Sequence, residues 1–236
     1  MTDPTPAAMA ILELLPTPVL TDALVRLGIP VRMAPAGISG PGDRPVVGRA
    51  LPVRHSGSVD VFLEALELAE PGDVLVIDND GRRDEACIGD LIALEVQAAG
   101  LAGVVIWGLH RDAAEVAATG LPVYSYGTLP AGPLEVRPAP ADRLERASFG
   151  DVDVTRADMV AADTNGVLFL PAAETERIAT TAAAIRDAEA EQIRLARAGV
   201  PLREQMGFAD YLRDRAVDPT RTFREHLRDR RRAIEE

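Results

Sequence analysis

Asp90, Arg111 and Asp112 are the residues of this chain whose types and spacing most directly suggest chemistry: one acid, then twenty residues, then an Arg-Asp pair. A carboxylate is a natural ligand for a hard divalent ion such as Mg²⁺ or Mn²⁺, which prefers oxygen donors and keeps several of its waters. A guanidinium beside it is a permanently charged planar fork that suits a carboxylate or an enolate oxygen. Such a set serves a reaction in which negative charge develops next to a carboxylate. Two acids and an arginine at this spacing make a weak motif by themselves, and their context strengthens it. Gly89 precedes Asp90, a helical pattern runs to Gly100, the apolar run 102–107 reads as a buried strand, and Arg111 and Asp112 follow its end. In open α/β sheets, ligands bind outside the carboxyl ends of the strands.

Each residue also has a structural reading. Asp90 and Asp112 could cap the helices that follow them, and Arg111 could be an ion-pair partner of Asp90. His110 reads as a surface or interface residue. Arg82 and Arg83 read as solvated loop charges, with contact to the far carboxylate of a dianionic substrate as the alternative. Cys87 lacks any paired histidine signal and reads as packing. His55 and His226 show no metal-ligand spacing. The Arg-rich 228–232 stretch reads as a solvated helix face or subunit contact.

Composition narrows the chemistry. All 25 basic residues are arginine, because the sequence contains no lysine. Schiff-base aldolase chemistry, pyridoxal-phosphate chemistry and a Walker-type phosphate loop all need a lysine, so these are excluded. Carbon–carbon cleavage would then require another electron sink, and a metal ion is the natural one. The loop after Ile77, Asp78-Asn79-Asp80-Gly81, is acidic and unsuited to phosphate. The net charge of −12 argues against general affinity for nucleic acid or anionic membrane. With Cys87 as the sole cysteine, no intrachain disulfide can form. The chain has no apolar run of membrane-spanning length, and its N-terminus lacks the pattern of a signal peptide. A cytoplasmic setting is the resulting expectation.

The elements needed to position the triplet can be read from periodicity. Helices are predicted at 19–27 and 59–69, through the 90s to Gly100, from Asp112, and over 174–198, closed by Gly199. Strands are predicted at 46–53, 74–77, 102–107 and 122–126, with 31–44 as a Pro- and Gly-rich loop. Residues 133–171 read as mostly β, with Asn165-Gly166 as a hairpin turn. Asp218-Pro219 is expected to open a further helix. The alternation predicts an α/β chain of one domain plus a tail.

The Asp90 and Arg111-Asp112 pattern, with TDALVRLG at 21–28, PGDVLVIDNDG at 71–81, GLPVYSYG at 120–127 and DMVAADTNGVLFLP at 158–171, resembles the RraA-like family over residues 15–195. That family includes the aldolases of 4-hydroxy-4-methyl-2-oxoglutarate and the regulator of ribonuclease E activity A. The resemblance implies a ββα sandwich of the swivelling phosphohistidine-domain type over residues 1–199, with a helical C-terminal extension over 200–236, assembled as homotrimers or hexamers. It implies a class II type aldolase that releases pyruvate from a 4-hydroxy-2-oxo dicarboxylic acid, with oxaloacetate decarboxylation as a second activity. Asp112 would hold Mg²⁺ or Mn²⁺, Arg111 would bind substrate, and Asp90 would act through metal waters or activate a water as base. Gly89 and the backbone N–H groups of Leu91 and Ile92 would line the pyruvate pocket. An acid from a neighbouring subunit is expected, and Glu204 is the assignment in the tail. The alternatives are a non-catalytic regulator, against which retention of Asp112 argues, and a related lyase or hydratase on a sugar-derived acid. Trp107-Gly108-Leu109-His110 and Ser56-Gly57-Ser58-Val59-Asp60 depart from the family's pattern and bear on substrate identity.

Overall fold

A long apolar strand organises the chain. In a computed structural model, which describes residues 4–41 and 45–230, β1 (Val46–Arg54) pairs on both sides. Its first half, Val46 to Arg49, runs antiparallel to β9 (Asp158–Asp163), and its second half, Ala50 to Arg54, runs parallel to β2 (Val74–Asp78). Gly48 lies where β1 passes closest to the turn before β2, and a Cβ there would come within 2.1 Å of the Gly72 carbonyl oxygen. Parallel pairing continues through β4 (Gly103–Trp107) to β6 (Val123–Tyr124), and antiparallel pairing through β9 to β10 (Gly166–Pro171). The described residues thus contain a six-stranded mixed sheet in the order β10-β9-β1-β2-β4-β6. β2 is buried along its whole length, which explains why its sequence is a near-continuous apolar run and not an alternating one.

Helices cover one face of the parallel half. α3 (Asp60–Leu66), α4 (Asp90–Ala98) and α5 (Ala113–Thr119) bring Phe62, Val96 and Val116 against Leu75, Ile77 and Ile106. On the other face, Val74, Val76 and Val105 meet Phe149 and Val154 from the hairpin β7 (Arg146–Phe149) and β8 (Val152–Thr155). The antiparallel end is covered by α1 (Pro6–Leu12), α2 (Thr17–Leu27) and the first half of α6 (Thr175–Arg197). Two short strands, β3 (Ala86–Ile88) and β5 (Leu109–His110), pair in parallel beside the main sheet. The tail folds as α7 (Leu202–Gln205), α8 (Phe208–Val217) and α9 (Phe223–Asp229) around Phe208, Tyr211, Phe223 and His226, whose ring centroids lie 5.0–5.9 Å apart. Among the described residues no single helix is long and apolar enough to cross a membrane.

The observed α/β alternation agrees with the sequence pattern, and several local expectations need correction. The β9–β10 hairpin turns at Thr164-Asn165, because Asp163 pairs with Gly166. Asp218 closes α8 and does not open a helix; Thr222 starts α9 through a capping box with Glu225. The β character expected over 133–171 begins only at Arg146. Of the Arg-rich 228–232 stretch, residues 231 and 232 lie outside the described residues.

A buried carboxylate fixes how α2 meets the hairpin. Asp163 accepts from the Thr17 backbone N–H and hydroxyl, both at 2.8 Å, and from the Asn165 N–H at 2.7 Å. Replacing it leaves buried donors unsatisfied, so Asp163→Ala is expected to lower unfolding free energy by about 2–3 kcal/mol. Urea denaturation measures this, and a loss near zero would show that the contact is dispensable.

Candidate active site

The triplet is assembled by the pairing of β3 with β5. Ala86 stands opposite Leu109 and Ile88 opposite His110, and the Arg111 N–H donates to the Ile88 carbonyl at 2.9 Å. This sets the Gly89-Asp90 start of α4 directly beside Arg111-Asp112. Gly89 is required at the contact: a Cβ there would lie 2.1 Å from Asp112 Oδ2 and 3.2 Å from Arg111 Cγ and Nε. The absence of a side chain at Gly89 thus lets the Asp112 carboxylate and the Arg111 side chain lie against the start of α4.

Asp112 has left-handed backbone geometry, φ 56° and ψ 46°, which side-chain-bearing residues seldom adopt. It occupies the N-cap position of α5, yet its side chain makes no capping hydrogen bond. Its carboxylate instead lies 3.2 Å from Arg111 Nε, and both side chains are partly open to solvent. Arg111 thus pairs with Asp112, not with Asp90 as its structural reading supposed. Asp90 begins α4, and its Oδ1 accepts from the Leu91 N–H at 2.8 Å. That bond occupies one of the two backbone donors expected to face substrate. The Ile92 N–H has no protein acceptor among the described residues.

Arg111, Asp90, Leu91 and Ile92 line a cleft of about 200 Å³ whose other walls include Val59, Cys87, Ile88, Gly132 and Pro133; Asp112 lies beside the cleft, next to Arg111 and against Gly89. Sequence reasoning missed the 130–133 loop, which is tied down by the Ala86 N–H donating to the Ala131 carbonyl at 2.8 Å. Gly132 gives Arg111 its space, since a Cβ there would lie 3.2 Å from Nη1. The Leu-Pro-Ala-Gly-Pro run was the available signal, because Pro and Gly together mark a rigid turn able to approach another backbone closely. Glu204 lies on α7 in the tail, exposed and outside this cleft.

The remaining residues singled out by sequence fall away from the chemistry. Cys87 is buried in the core, where its thiol contacts the Leu109 carbonyl and desolvation raises its pKa well above the ordinary range. His110 is half-buried, with Nδ1 2.9 Å from Ser125 Oγ. Arg83 lies over the Tyr126 ring, and Arg82 pairs with Asp84 and Glu85.

The donor set can be tested against the metal that the sequence pattern implies. No group of three His, Cys, Asp or Glu side chains converges as a closed site among the described residues. A zinc-type cage does not fit. An open carboxylate with solvent access, beside a second acid at Asp90, does fit Mg²⁺ or Mn²⁺, which are commonly held by one or two carboxylates and several waters.

Two predictions follow from local energetics. Asp112→Gly removes the carboxylate and the backbone strain together, and should raise stability by up to about 1 kcal/mol. A urea midpoint below that of the wild type would refute the strain. Burial lowers the pKa of both His55 and His110 from 6.5. The unfolded chain then binds more protons below that pH, so stability present at pH 7.5 should decline as pH falls through 6.5 toward the folded-state values. Urea midpoints that stay level from pH 7.5 to 5.5 would contradict this.

The family model described as RraA-like, Aldolase/RraA, matches residues 17–169. A protein of Halalkalibacterium halodurans, provisionally named a 4-hydroxy-4-methyl-2-oxoglutarate aldolase, is 31% identical over 134 residues, which is 56% of this chain and 63% of that relative. The chain therefore spans less than two thirds of this relative's length. Among solved structures, an uncharacterized protein from Pseudomonas syringae superposes with a TM-score of 0.74 at 23% identity, covering 86% of this chain and 98% of that one. Streptomyces coelicolor RraAS2, described as an unusual member of the RNase ES inhibitor RraA protein family, gives a TM-score of 0.69 at 26% identity, covering 82% and 98%.

Proposed function

Since this chain belongs to the RraA-like family, we propose that it is a divalent-metal-dependent lyase cleaving a 4-hydroxy-2-oxo dicarboxylic acid, such as 4-hydroxy-4-methyl-2-oxoglutarate, to pyruvate. The observation that carries the reading is Asp112, held in left-handed geometry against Gly89 with its carboxylate beside Arg111 and not capping α5. In the reaction, the C4 hydroxyl loses its proton, the C3–C4 bond breaks, and its electron pair becomes the enolate of pyruvate, later protonated at C3. Bound at Asp112, Mg²⁺ or Mn²⁺ supplies a Lewis acid for the charge that develops on the C2 oxygen. Arg111 donates to the substrate carboxylate and enolate oxygens, where a fixed, always-protonated fork suits growing charge. The Ile92 N–H adds a backbone donor at the start of α4. Asp90, adjacent to Gly89, is the group placed to accept the C4 hydroxyl proton through a water. Val59, Ile88 and Pro133 wall the cleft and strengthen these electrostatic contacts by excluding water.

The same enolate arises from oxaloacetate, so decarboxylation of that acid is part of the proposal. The layers β1-β2-β4-β6 and α3–α5 support reading the fold as the swivelling phosphohistidine-domain type. Exposed apolar side chains near the cleft, Leu91 at 72%, Leu134 at 92% and Val136 at 74%, support assembly into a homotrimer or hexamer in which a neighbour covers the cleft and brings an acid such as Glu204. A cytoplasmic enzyme that binds neither nucleic acid nor membrane completes the reading.

The test is Mg²⁺-dependent pyruvate release from 4-hydroxy-4-methyl-2-oxoglutarate and from oxaloacetate. Asp112→Ala and a chelator should each abolish it, and Arg111→Lys should lower kcat by about 10²–10³-fold. Wild-type release no faster than the metal-only background from both compounds would remove the lyase reading and favour a regulatory binding protein.

A further inference from the structure

Of the described residues that line the Arg111 cleft, Arg111 is the one cation and Asp90 the one anion, and the others are apolar side chains or glycines. The arginines that the sequence offers for the far carboxylate of a dianionic substrate are engaged elsewhere. Arg82 pairs with Asp84 and Glu85, and Arg83 lies over the Tyr126 ring. Arg137, just past the Gly132-Pro133 loop in sequence, makes two bonds to Glu85 at 2.6 and 3.1 Å. With Arg111 holding the carboxylate next to the 2-oxo group, the C4 end of a substrate is left to Val59, Ile88 and Pro133.

Backbone contacts fix these walls relative to one another. Gly57 approaches the chain beyond Pro133 so closely that a Cβ would lie 2.1 Å from the Glu135 carbonyl oxygen, and the Arg137 N–H donates to the Ser56 carbonyl at 2.7 Å. The turn that ends in Val59, at the start of α3, is thereby tied to the loop that carries Pro133. Val59 lies in the 56–60 stretch that departs from the family's pattern, and it is 52% exposed, so its side chain has apolar surface left to cover. A wall already held in place loses little freedom when a ligand packs on it.

Charge sets the same limit. The two charges of a bound Mg²⁺ plus that of Arg111, set against the carboxylates of Asp90 and Asp112, leave a single positive charge, which one substrate carboxylate neutralises. A second carboxylate against the apolar wall would give up water for no counter-charge, whereas a methyl group buried there gains about fourfold in affinity. We infer that the cleft holds the C4 end of its substrate by apolar contact, and that the enzyme cleaves the monocarboxylate 4-hydroxy-4-methyl-2-oxopentanoate to pyruvate and acetone at least as efficiently as the dicarboxylate. The inference rests on the lyase reading and widens its substrate class. The C4 hydroxyl loses its proton, the C3–C4 bond breaks with its electron pair passing to the pyruvate enolate, and C4 leaves as the carbonyl carbon of acetone. Protonation at C3 completes pyruvate, so neither water nor an oxidant is consumed.

Calorimetric titration of the whole chain with Mg²⁺ present ranks two acids that lack the C4 hydroxyl and so are not cleaved, 4-methyl-2-oxopentanoate and 2-oxoglutarate. The branched monocarboxylate is expected to bind about tenfold more tightly. Val59→Ala should weaken it by about threefold and leave 2-oxoglutarate unchanged, and Val59→Arg, which puts a cation on the wall, should reverse the order. Pyruvate release from 4-hydroxy-4-methyl-2-oxopentanoate, measured beside release from 4-hydroxy-4-methyl-2-oxoglutarate, tests the cleavage. Release from the dicarboxylate alone, or tighter binding of 2-oxoglutarate by the wild type, would overturn the inference and leave the lyase reading standing. Release from neither compound would remove the lyase reading and the cleavage of the monocarboxylate with it, and the ranking of the two uncleaved acids would then decide the apolar wall by itself.

Discussion

The hydrogen bond from the Arg111 amide to the Ile88 carbonyl closes the junction on which the proposed catalytic cleft depends. It extends the two-residue pairing of β3 and β5 by one step and delivers two distant segments of sequence to one point. Neither strand could persist alone, since each is too short to bury a face. They are fixed because Ala86, Cys87, Ile88 and Leu109 are all buried and because the Ala131 carbonyl holds β3 from its other side. Packing thus determines a register that the backbone hydrogen bonds then enforce. A one-residue slip would turn Ile88 outward and separate Gly89 from Asp112. The absence of a Cβ at Gly89 is the steric half of the same constraint.

The sheet was legible because its strands are buried on both faces. VLVID and GVVIW read as continuous apolar runs, flanked by turn residues and alternating with helical segments, and they are β2 and β4 in the structure. β3 and β5 were illegible for the converse reason. β3 has three apolar residues and β5 one, flanked by Gly and charge, which no periodicity can register. α1 was hidden by its prolines, although Pro6 occupies the first turn, where a missing N–H costs nothing. At Asp218-Pro219 a plausible start signal was overridden by the stronger capping box at Thr222. The candidate triplet was visible in sequence, while the loop at Gly132 and Pro133 that completes the cleft beside it was not. That contribution depends on a tertiary approach between segments with no local pattern.

A chain without lysine places every side-chain cation on a planar, multidentate group. The consequence is visible across the fold: Arg156 on Asp73 at 2.5 Å, Arg32 on Asp158 at 2.5 Å, and the two-bond pairs of Arg137 and Arg82. In the first three pairs the acid is nearly buried and the arginine only partly so. That arrangement lets a carboxylate anchor a turn without being stranded in the core, because the guanidinium reaches solvent while satisfying it. Arg111 differs. Its side chain is about half exposed, and the one carboxylate it pairs with among the described residues is itself open to solvent. It also lines the cleft beside Gly132.

Asp80 and Asp112 are the two non-glycine residues with positive φ among the described residues, both at 56°. Each sits just beyond a strand, at the edge where the parallel strands end. For Asp80 the local turn supplies a reason, since its N–H donates to Asp78 Oδ1 at 2.9 Å. For Asp112 no local reason exists. It starts a helix without capping it, and glycine would adopt the same backbone at lower cost. Strain of this kind persists only where surrounding structure imposes it, and it concentrates at working sites. What the strain achieves here is to turn a carboxylate away from the helix it precedes and lay it against Gly89, beside the guanidinium of its neighbour. A purely structural account leaves that geometry unexplained, whereas a carboxylate presented to a hard cation and a substrate oxygen accounts for both the strain and the open contact.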